Sequence, residues 1–258
     1  MKERGMIFNG EMVRAILDGR KTQTRRIVKV QPKPCNHTNW PDYSPESQWK
    51  SYPNGWCCAV CANGTTIDHR HHAKGITCPF GAVGDRIWVR ETWGVVSHEL
   101  DEDGRIQPWS PDRPAKAIHE MPFGNGYYSG HAIYAADGDF TWGDDDGYED
   151  GRSCWKPSIH MPRAACRILL EVTGVRVERL NGISETDAES EGIDMEALYD
   201  SQDCYDCIAD HNMTGRPTVT GAFKYLWESI YGEESWQANP WVWVIEFKVV
   251  PNVQDNPA

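Results

Sequence analysis

Between positions 35 and 78 the chain carries cysteine and histidine residues at the spacing of metal ligands. One residue separates Cys35 from His37, two separate Cys58 from Cys61, and Cys78 follows. Cysteine pairs with two residues between them let a chain fold around a tetrahedral zinc ion. We therefore expect a structural zinc site with no part in catalysis. Reduced or partly buried thiols are the alternative.

A second cysteine pair occurs near the C-terminal end. Cys204 and Cys207, with His211 nearby, are either half of another zinc site or the missing half of the first one. The chain has nine cysteines, and in a cytoplasmic protein these indicate thiols or metal ligands more than disulfides.

A short basic segment, Gly-Arg-Lys-Thr-Gln-Thr-Arg-Arg at positions 19–26, brings an amine, two hydroxyls and three guanidinium groups together. Amide hydrolysis needs a nucleophile, a base, an acid for the leaving amine and a donor to the oxyanion. Side chains of these types could supply such groups. From composition alone the segment is equally typical of a solvated strand, because Thr is a good strand former and Lys and Arg are common on surfaces.

The segment resembles the motif of the ASCH (activating signal cointegrator homology) family, a β-barrel fold related to the PUA RNA-binding domain. Gly19, Lys21 and Arg26 match the family pattern Gly-x-Lys-x-x-Glu-x-Arg, and Thr24 stands in place of its Glu. One branch, the small bacterial N(4)-acetylcytidine amidohydrolases, has the pattern Gly-Arg-Lys-Thr-x-Thr-x-Arg. The match to that branch is complete over these eight positions.

Three further segments, residues 84–93, 155–163 and 239–247, are similar to segments of larger ASCH proteins that are often encoded by phages or prophages. With the motif and its surroundings they cover roughly half of the chain. The small amidohydrolases are less than half as long, so the insertions of this chain have no counterpart in them.

The resemblance implies a catalytic set of one Lys, one Thr and one Glu. The Lys corresponds to Lys21 and the Thr to Thr24, and the Glu corresponds to Glu191, with Glu189 as the competing choice. Thr24 would attack the acyl carbon and Lys21 would act as the base. Glu191 would protonate the leaving nitrogen or orient water.

Two physical conditions limit this assignment. The pKa of Lys21 must fall from about 10.4 toward 7–8, and we expect burial and the charges of its Arg neighbours to lower it. Lys21 and Thr24 are also three residues apart, which places them on opposite faces of a flat strand. A turn or bulge after Gly19 is therefore required to bring them together.

Several residues are candidates for contacting a substrate. Trp93 could stack on a nucleobase, His160 could donate to a base or acyl oxygen, and Arg163 could pair with a carboxylate or phosphate. Glu91 is predicted to face inward and would need a partner there. The alternatives are core packing for Trp93 and structural or surface roles for the others. The substrate-binding set that we predict is Arg26, Glu91, Trp93, His160 and Arg163.

Short strands outnumber helices in the pattern of apolar residues. The helix at 9–19 is expected to begin at the N-cap Asn9 and end at Gly19, and the helix at 184–191 to begin at Ser184. We expect an α+β protein: a small ASCH/PUA-like β-barrel with flanking helices and large loop-rich insertions. The other predicted elements are strands at 20–28, 85–93, 166–180 and 241–250, a short strand near 132–135, and a helix at 221–231.

The whole chain, residues 1–258, is predicted to form one ASCH-like domain. Residues 31–84 would be an inserted Cys/His-rich module, and residues 95–154 a loop-rich insertion. The chain has no apolar run of about 18 residues, so we expect no transmembrane helix and a cytoplasmic location.

The formal net charge of −12 argues against broad, sequence-independent binding to nucleic acid, although a local basic patch could still bind it. We therefore expect a hydrolase that removes an acyl group from the exocyclic amine of a modified cytidine or related nucleoside, without a catalytic cofactor. The alternatives are a non-catalytic PUA-like module that binds modified nucleobases in RNA or DNA, and a phage accessory protein.

Overall fold

A computed structural model describes residues 1–29, 31, 49–52, 55–58, 77–142, 154–200 and 218–252, with the backbone alone at 49–52, 55–58, 199 and 200. Of the residues that the structure describes, 27% are helical and 38% lie in strands, so the protein contains both helices and sheets, in keeping with the predicted α+β class. The described strands form no closed barrel.

Strands and helices follow one another along the described chain. The helices are α1 (Gly10–Leu17), α2 (Glu185–Ser190), α3 (Met195–Asp200), α4 (Val219–Tyr231) and α5 (Glu233–Gln237). The strands are β1 (Glu3–Ile7), β2 (Gln23–Ile27), β3 (Trp49–Tyr52), β4 (Gly55–Cys58), β5 (Arg86–Arg90), β6 (Trp93–Val96), β7 (His98–Leu100), β8 (Ile106–Pro108), β9 (Lys116–Phe123), β10 (Gly126–Tyr134), β11 (Leu169–Arg179) and β12 (Trp241–Val250).

The chain divides into two compact units. Unit 1 consists of Met1–Gly19, Asp85–Glu171 and Lys248–Ala258, and unit 2 of Arg20–Gly84 and Val172–Phe247. The prediction of one ASCH-like domain stays a prediction, as do the two predicted insertions. Most of residues 31–84 lies outside the described part of the chain.

Unit 1 contains two sheets and a hairpin. β1 pairs in parallel with β5, and the first residues of β11 pair with β5 in antiparallel fashion, with Leu170 opposite Ile87. The second sheet has the order β6-β10-β9, and β7 pairs with β8. One core cluster of unit 1 consists of Trp93, Ile118, Met121, Ala132, Tyr134, Met161, Ala165 and Cys166.

The β9–β10 hairpin is longer than the short strand that the sequence predicts near 132–135. Its register shifts between Tyr128 and Gly130, and Gly130 has φ +124°. A Cβ atom on Gly130 would lie 2.4 Å from the carbonyl oxygen of Val96, so only glycine fits this bulge. The bulge interrupts the alternation of side chains, which explains why the sequence pattern failed to extend the strand.

Unit 2 holds β2 and β12 as an antiparallel pair, in which Thr24 lies opposite Ile245. β11 lies on the other side of β12, so the strand order is β11-β12-β2. Helices α2 and α4 pack together, and their apolar residues join those of β12 in one core. This core cluster consists of Leu180, Ile183, Ala188, Val219, Phe223, Trp227, Val242 and Val244.

Both predicted helix N-caps are confirmed. The side-chain oxygen of Asn9 accepts a hydrogen bond from the backbone of Met12 at 2.8 Å, and that of Ser184 accepts one from Asp187 at 3.2 Å. These bonds satisfy backbone N–H groups that have no partner within the helix. The cap at Ser184 fixes the start of α2, and Glu191 is the C-cap residue at its other end.

The single strand predicted at 85–93 is divided into β5 and β6. The break includes Glu91, whose backbone N–H donates to the sulfur of Met161 at 3.3 Å and not to a neighbouring strand. No helix in the described part of the chain is both long and apolar enough to cross a membrane.

Candidate functional site

The basic motif begins where α1 ends and belongs mainly to unit 2. Gly19 has φ +77°, a left-handed conformation that suits the turn after the helix. Lys21 forms an isolated antiparallel bridge with Glu191, and β2 begins only at Gln23. Because Lys21 precedes the strand, the alternation of strand faces does not determine where its side chain points.

The side chains of Lys21 and Glu191 meet in the interior of unit 2. Lys21 is 1% exposed and Glu191 is 3% exposed. The Nζ atom of Lys21 donates to Oε2 of Glu191 at 2.8 Å and to its backbone carbonyl oxygen at 2.7 Å. Glu191 is the C-cap residue of α2, whereas the competing candidate Glu189 is exposed. The structure therefore brings Lys21 together with Glu191.

Both hydrogen bonds of the Lys21 side chain go to Glu191. Among the described residues its Nζ atom has two acceptors, and both belong to Glu191. A neutral amine has two N–H bonds and one lone pair, whereas an ammonium has three donors to satisfy. The third N–H of an ammonium at this position therefore has no acceptor among the described residues, which adds to the cost of burying the charge.

Several groups act on the pKa of Lys21. Burial lowers this pKa from its ordinary value of 10.5, because an ammonium loses its hydration in the interior. The carboxylate of Glu191 opposes that effect, and the positive charges of Arg26 and Arg25 lower the pKa further. The net effect is a lowered pKa for Lys21, as the sequence predicts, and burial is its largest cause.

Arg25 contacts the same carboxylate from β2. Its Nη1 atom donates to Oε1 of Glu191 at 3.1 Å, so each carboxylate oxygen of Glu191 faces one cation. Its Nη2 atom lies 3.3 Å from Oε2 of Glu178 and 3.3 Å from Oδ2 of Asp187. Arg25 is buried, and its guanidinium joins β2, α2 and β11.

Arg176 holds the outer part of this ionic network. It donates to Oδ1 of Asp187 at 2.8 Å and to Oε1 of Gln23 at 3.1 Å, and it also pairs with Glu178 and Glu246. The pKa of Asp187 is lowered: partial burial alone would raise it, but the Arg176 charge and hydrogen bond outweigh burial. Carboxylates and guanidinium groups thus alternate outward from Lys21.

Thr24 is hydrogen-bonded to Arg26, whereas the predicted mechanism needs its hydroxyl beside Lys21. It is fully buried, and its Oγ1 atom accepts a hydrogen bond from Nη1 of Arg26 at 2.7 Å. No hydrogen bond joins Thr24 to Lys21 in the described part of the chain. Arg26 links the two indirectly, because it contacts Thr24 while its charge acts on Lys21.

Glu91 and Trp93 belong to unit 1, where both are buried. Arg167 contacts both carboxylate oxygens of Glu91, at 3.0 and 2.9 Å, and also donates to Asp137 at 2.8 Å. Burial raises the pKa of Glu91, and Arg167 opposes that rise. The inward-facing Glu91 thus has the partner that it was expected to need, and a structural role accounts for it.

Trp93 is a member of the unit 1 core and is fully buried. Its ring packs edge-on against Phe123 at 5.4 Å between centroids. Core packing, the alternative to stacking on a nucleobase, accounts for this environment.

His160 and Arg163 also lie in unit 1. His160 ends a short 3-10 turn and is exposed. Arg163 donates to Glu3 at 3.0 Å and to Asn252 at 3.2 Å, so its charge is paired. These contacts fit the surface role that was the alternative for Arg163.

The predicted zinc ligands fall largely on residues that the structure does not describe. Cys35, His37 and Cys61 lie outside the described residues, and Cys58 is described only as part of the β4 backbone. Cys78 is half-buried. Within the described ranges no group of three or more His, Cys, Asp or Glu side chains is placed to hold a metal ion. The zinc site stays a prediction.

The ionic network around Lys21 was not predicted from the sequence. Arg25 was considered only as one of several charges near Lys21, Asp187 only as an acidic residue in the first turn of its helix, and Glu178 and Arg176 were not considered. One signal was present: Arg176 and Glu178 are two residues apart in a strand that also contains Val175 and Val177. Charges at alternate positions of an otherwise apolar strand share one face and need partners there.

Comparisons of the chain with family models, with curated proteins and with solved structures found no match. The candidate site therefore depends on its geometry and on the motif at positions 19–26.

Proposed function

We propose that this protein is an ASCH-type hydrolase that removes an acyl group from the exocyclic amine of a modified cytidine or related nucleoside. This proposal includes a PUA-like barrel for the ASCH domain. The observation that carries it is the buried amine of Lys21, which has two acceptors, both on Glu191. An amine that is dry and bonded in this way is suited to accept a proton.

Thr24 supplies the nucleophile in this proposal. Its buried Oγ1 atom accepts a hydrogen bond from Arg26, while its own hydroxyl hydrogen has no acceptor among the described residues. Lys21 takes that proton as Oγ1 attacks the acyl carbon. The guanidinium of Arg26, already 2.7 Å from Oγ1, stabilises the negative charge that develops on the acyl oxygen.

The two half-reactions balance as amide hydrolysis. The bond from the acyl carbon to the nucleoside nitrogen breaks, the Lys21 ammonium gives its proton to that nitrogen, and the acyl group remains on Thr24 as an ester. Water then attacks the ester and gives a proton to Lys21, which returns it to the departing Thr24 oxygen. Glu191 keeps the amine aligned and stabilises the ammonium in both halves.

The ionic network favours a substrate without phosphates. The guanidinium groups of Arg25 and Arg176 are already bonded to carboxylates of Glu191, Glu178, Asp187 and Glu246. The net charge of −12 also disfavours a substrate that carries phosphates. A nucleoside or free base therefore suits this site better than a nucleic acid strand.

A panel of acylated nucleosides tests the proposal. N(4)-acetylcytidine, N(6)-acetyladenosine and an O-acetylated cytidine are incubated with the wild-type protein and with Lys21→Met, and released nucleoside and acetate are measured by chromatography. We expect release from N(4)-acetylcytidine that falls at least about a hundredfold in Lys21→Met. The absence of acetate from every N-acylated nucleoside would overturn the proposal.

A non-catalytic module that binds a modified base is the second candidate. The observation in its favour is that Thr24 is bonded to Arg26 and not to Lys21. Such a module would bind an oligonucleotide containing N(4)-acetylcytidine without releasing acetate. Its affinity would fall steeply as salt rises, because phosphate contacts release counterions. Titration calorimetry in a salt series, run beside the acetate assay, separates the two functions.

A further inference from the structure

The carboxylate of Glu191 is shared between two cations, one oxygen to each. Lys21 contacts Oε2 at 2.8 Å and Arg25 contacts Oε1 at 3.1 Å. We propose that Arg25 is a positioning residue: it holds Glu191 so that Oε2 faces Lys21, and it limits how strongly Glu191 retains the proton of Lys21. This inference rests on the proposed function, in which Lys21 must lose that proton to act as a base.

The position of Arg25 is itself fixed by two other carboxylates. Its Nη2 atom lies 3.3 Å from both Glu178 and Asp187, and Arg176 pairs with the second oxygen of each of these carboxylates. The ring of Phe223 packs against the guanidinium, with 5.8 Å between the ring centroid and Cζ of Arg25. A planar guanidinium can face several carboxylates at once, which a lysine ammonium at this site could not do in the same geometry.

Glu191 comes from the end of a helix that has little packing of its own. α2 has six residues, and one of them, Ala188, is buried. Arg25 contacts Asp187 within this helix and Glu191 at its end, so it holds one side of the helix against β2. Without Arg25, the backbone of Glu191 would still be held by its bridge to Lys21, but Oε1 of its carboxylate would lose its cationic partner.

The charges that face the pair come from four elements. β2 contributes Arg25 and Arg26, and β12 contributes Glu246 at the outer edge. α2 contributes Asp187 and β11 contributes Glu178 and Arg176. Removing Arg25 leaves Glu191 with Lys21 as its sole cationic partner among these groups. The carboxylate would then hold the Lys21 proton more tightly, and the neutral base would form at higher pH.

The test compares pH profiles of kcat/KM for N(4)-acetylcytidine. Arg25→Met should move the midpoint of the acid limb upward by about one pH unit, so that activity at neutral pH falls about tenfold and is restored at higher pH. Arg25→Lys keeps a positive charge, so its midpoint should stay closer to that of the wild type. A uniform loss of activity at every pH, with no change of midpoint, would overturn the inference.

The matched control is Arg179→Met. Arg179 lies in the same unit, donates to the backbone of Asn239 at 3.1 Å and packs on Trp241, without contact to Glu191. The same change of side chain at this position should leave the midpoint unchanged. An equal midpoint shift in Arg179→Met would show that the shift reports general loosening of the protein, and would overturn the inference.

A second readout does not depend on activity. The Cε resonance of Lys21 is followed against pH in protein labelled at lysine carbon atoms, and it is assigned by its loss in Lys21→Arg. Arg25→Met should raise its titration midpoint by about one pH unit. If the wild type hydrolyses no acylated nucleoside, the proposed function fails, and this titration still decides the effect of Arg25 on Lys21.

If Arg25→Met does not fold, the kinetics and the Lys21 titration of Arg25→Lys test the inference. A lower kcat at unchanged KM is expected, because the reacting groups are misplaced while substrate binding is kept. An unchanged kcat in Arg25→Lys, together with an unchanged Lys21 titration, would overturn the inference.

Discussion

The side-chain nitrogen of Lys21 lies within hydrogen-bond distance of two oxygen atoms of Glu191, the backbone carbonyl at 2.7 Å and Oε2 at 2.8 Å. The two residues are 170 positions apart in the chain. Both hydrogen bonds need the C-terminal end of α2 to lie against the segment just before β2. One motif residue is thereby joined to a carboxylate from the other half of the sequence.

Glu191→Gln should destabilise the protein more than Lys21→Met. Glu191→Gln removes the buried carboxylate that pairs with both Lys21 and Arg25, at a cost of about 3 kcal/mol. Lys21→Met leaves Glu191 paired with Arg25 and should cost about 1–2 kcal/mol. Urea unfolding at neutral pH measures both free energies. An equal or larger loss in Lys21→Met would contradict the shared-carboxylate arrangement.

Thr24→Val should abolish acyl release while the protein stays folded. Valine keeps the branched shape of the buried side chain but has no nucleophilic oxygen, so we expect a loss of at least about a hundredfold. Thr24→Ser keeps the hydroxyl and should retain most activity. Thr22→Val, at an exposed position of the same motif, is the control. Undiminished acetate release by Thr24→Val would end the assignment of Thr24 as nucleophile.

Gly130→Ala should destabilise unit 1. The added Cβ would lie 2.4 Å from the carbonyl oxygen of Val96, at a backbone φ of +124°. We expect a cost of at least about 2 kcal/mol, measured by thermal unfolding. Gly126→Ala, in the same hairpin and with open space around its Cβ, should cost less. Equal costs for the two variants would mean that the bulge at Gly130 is not required.

Freshly purified protein that has not met a chelator should contain about one zinc ion per chain, held by cysteine thiolates and His37. Elemental analysis measures the metal. The variants Cys58→Ser and Cys61→Ser should lose zinc, whereas Cys154→Ser, outside the predicted ligand set, should keep it. Wild-type protein without zinc would remove the prediction of a structural site.

Part of the fold follows from local patterns in the sequence. The caps at Asn9 and Ser184, the helix near 221–231 and the strands near 166–180 and 241–250 depend on nearby residues, and the structure has them. The division of β5 from β6 and the bulge at Gly130 depend on partners from elsewhere in the chain. Local periodicity cannot predict such interruptions.

The candidate site shows the same contrast. The motif drew attention to Lys21 and Thr24, and the short acidic helix to Glu191. The role of Arg25 was missed because its partners, Glu178 and Asp187, come from two elements far along the chain. The contact of Thr24 with Arg26 was also missed, although residues two apart on a strand share a face.

The pH dependence of kcat/KM for N(4)-acetylcytidine tests the role of Lys21 as the base most directly. Because the neutral amine is the active form, activity should rise with pH through the pKa of Lys21, and burial places that midpoint below the ordinary 10.5. The pH profile of Lys21→Met should lack this rise, and its kcat/KM should be at least about a hundredfold lower. A wild-type rate that does not change with pH, or a Lys21→Met profile equal to that of the wild type, would contradict the account.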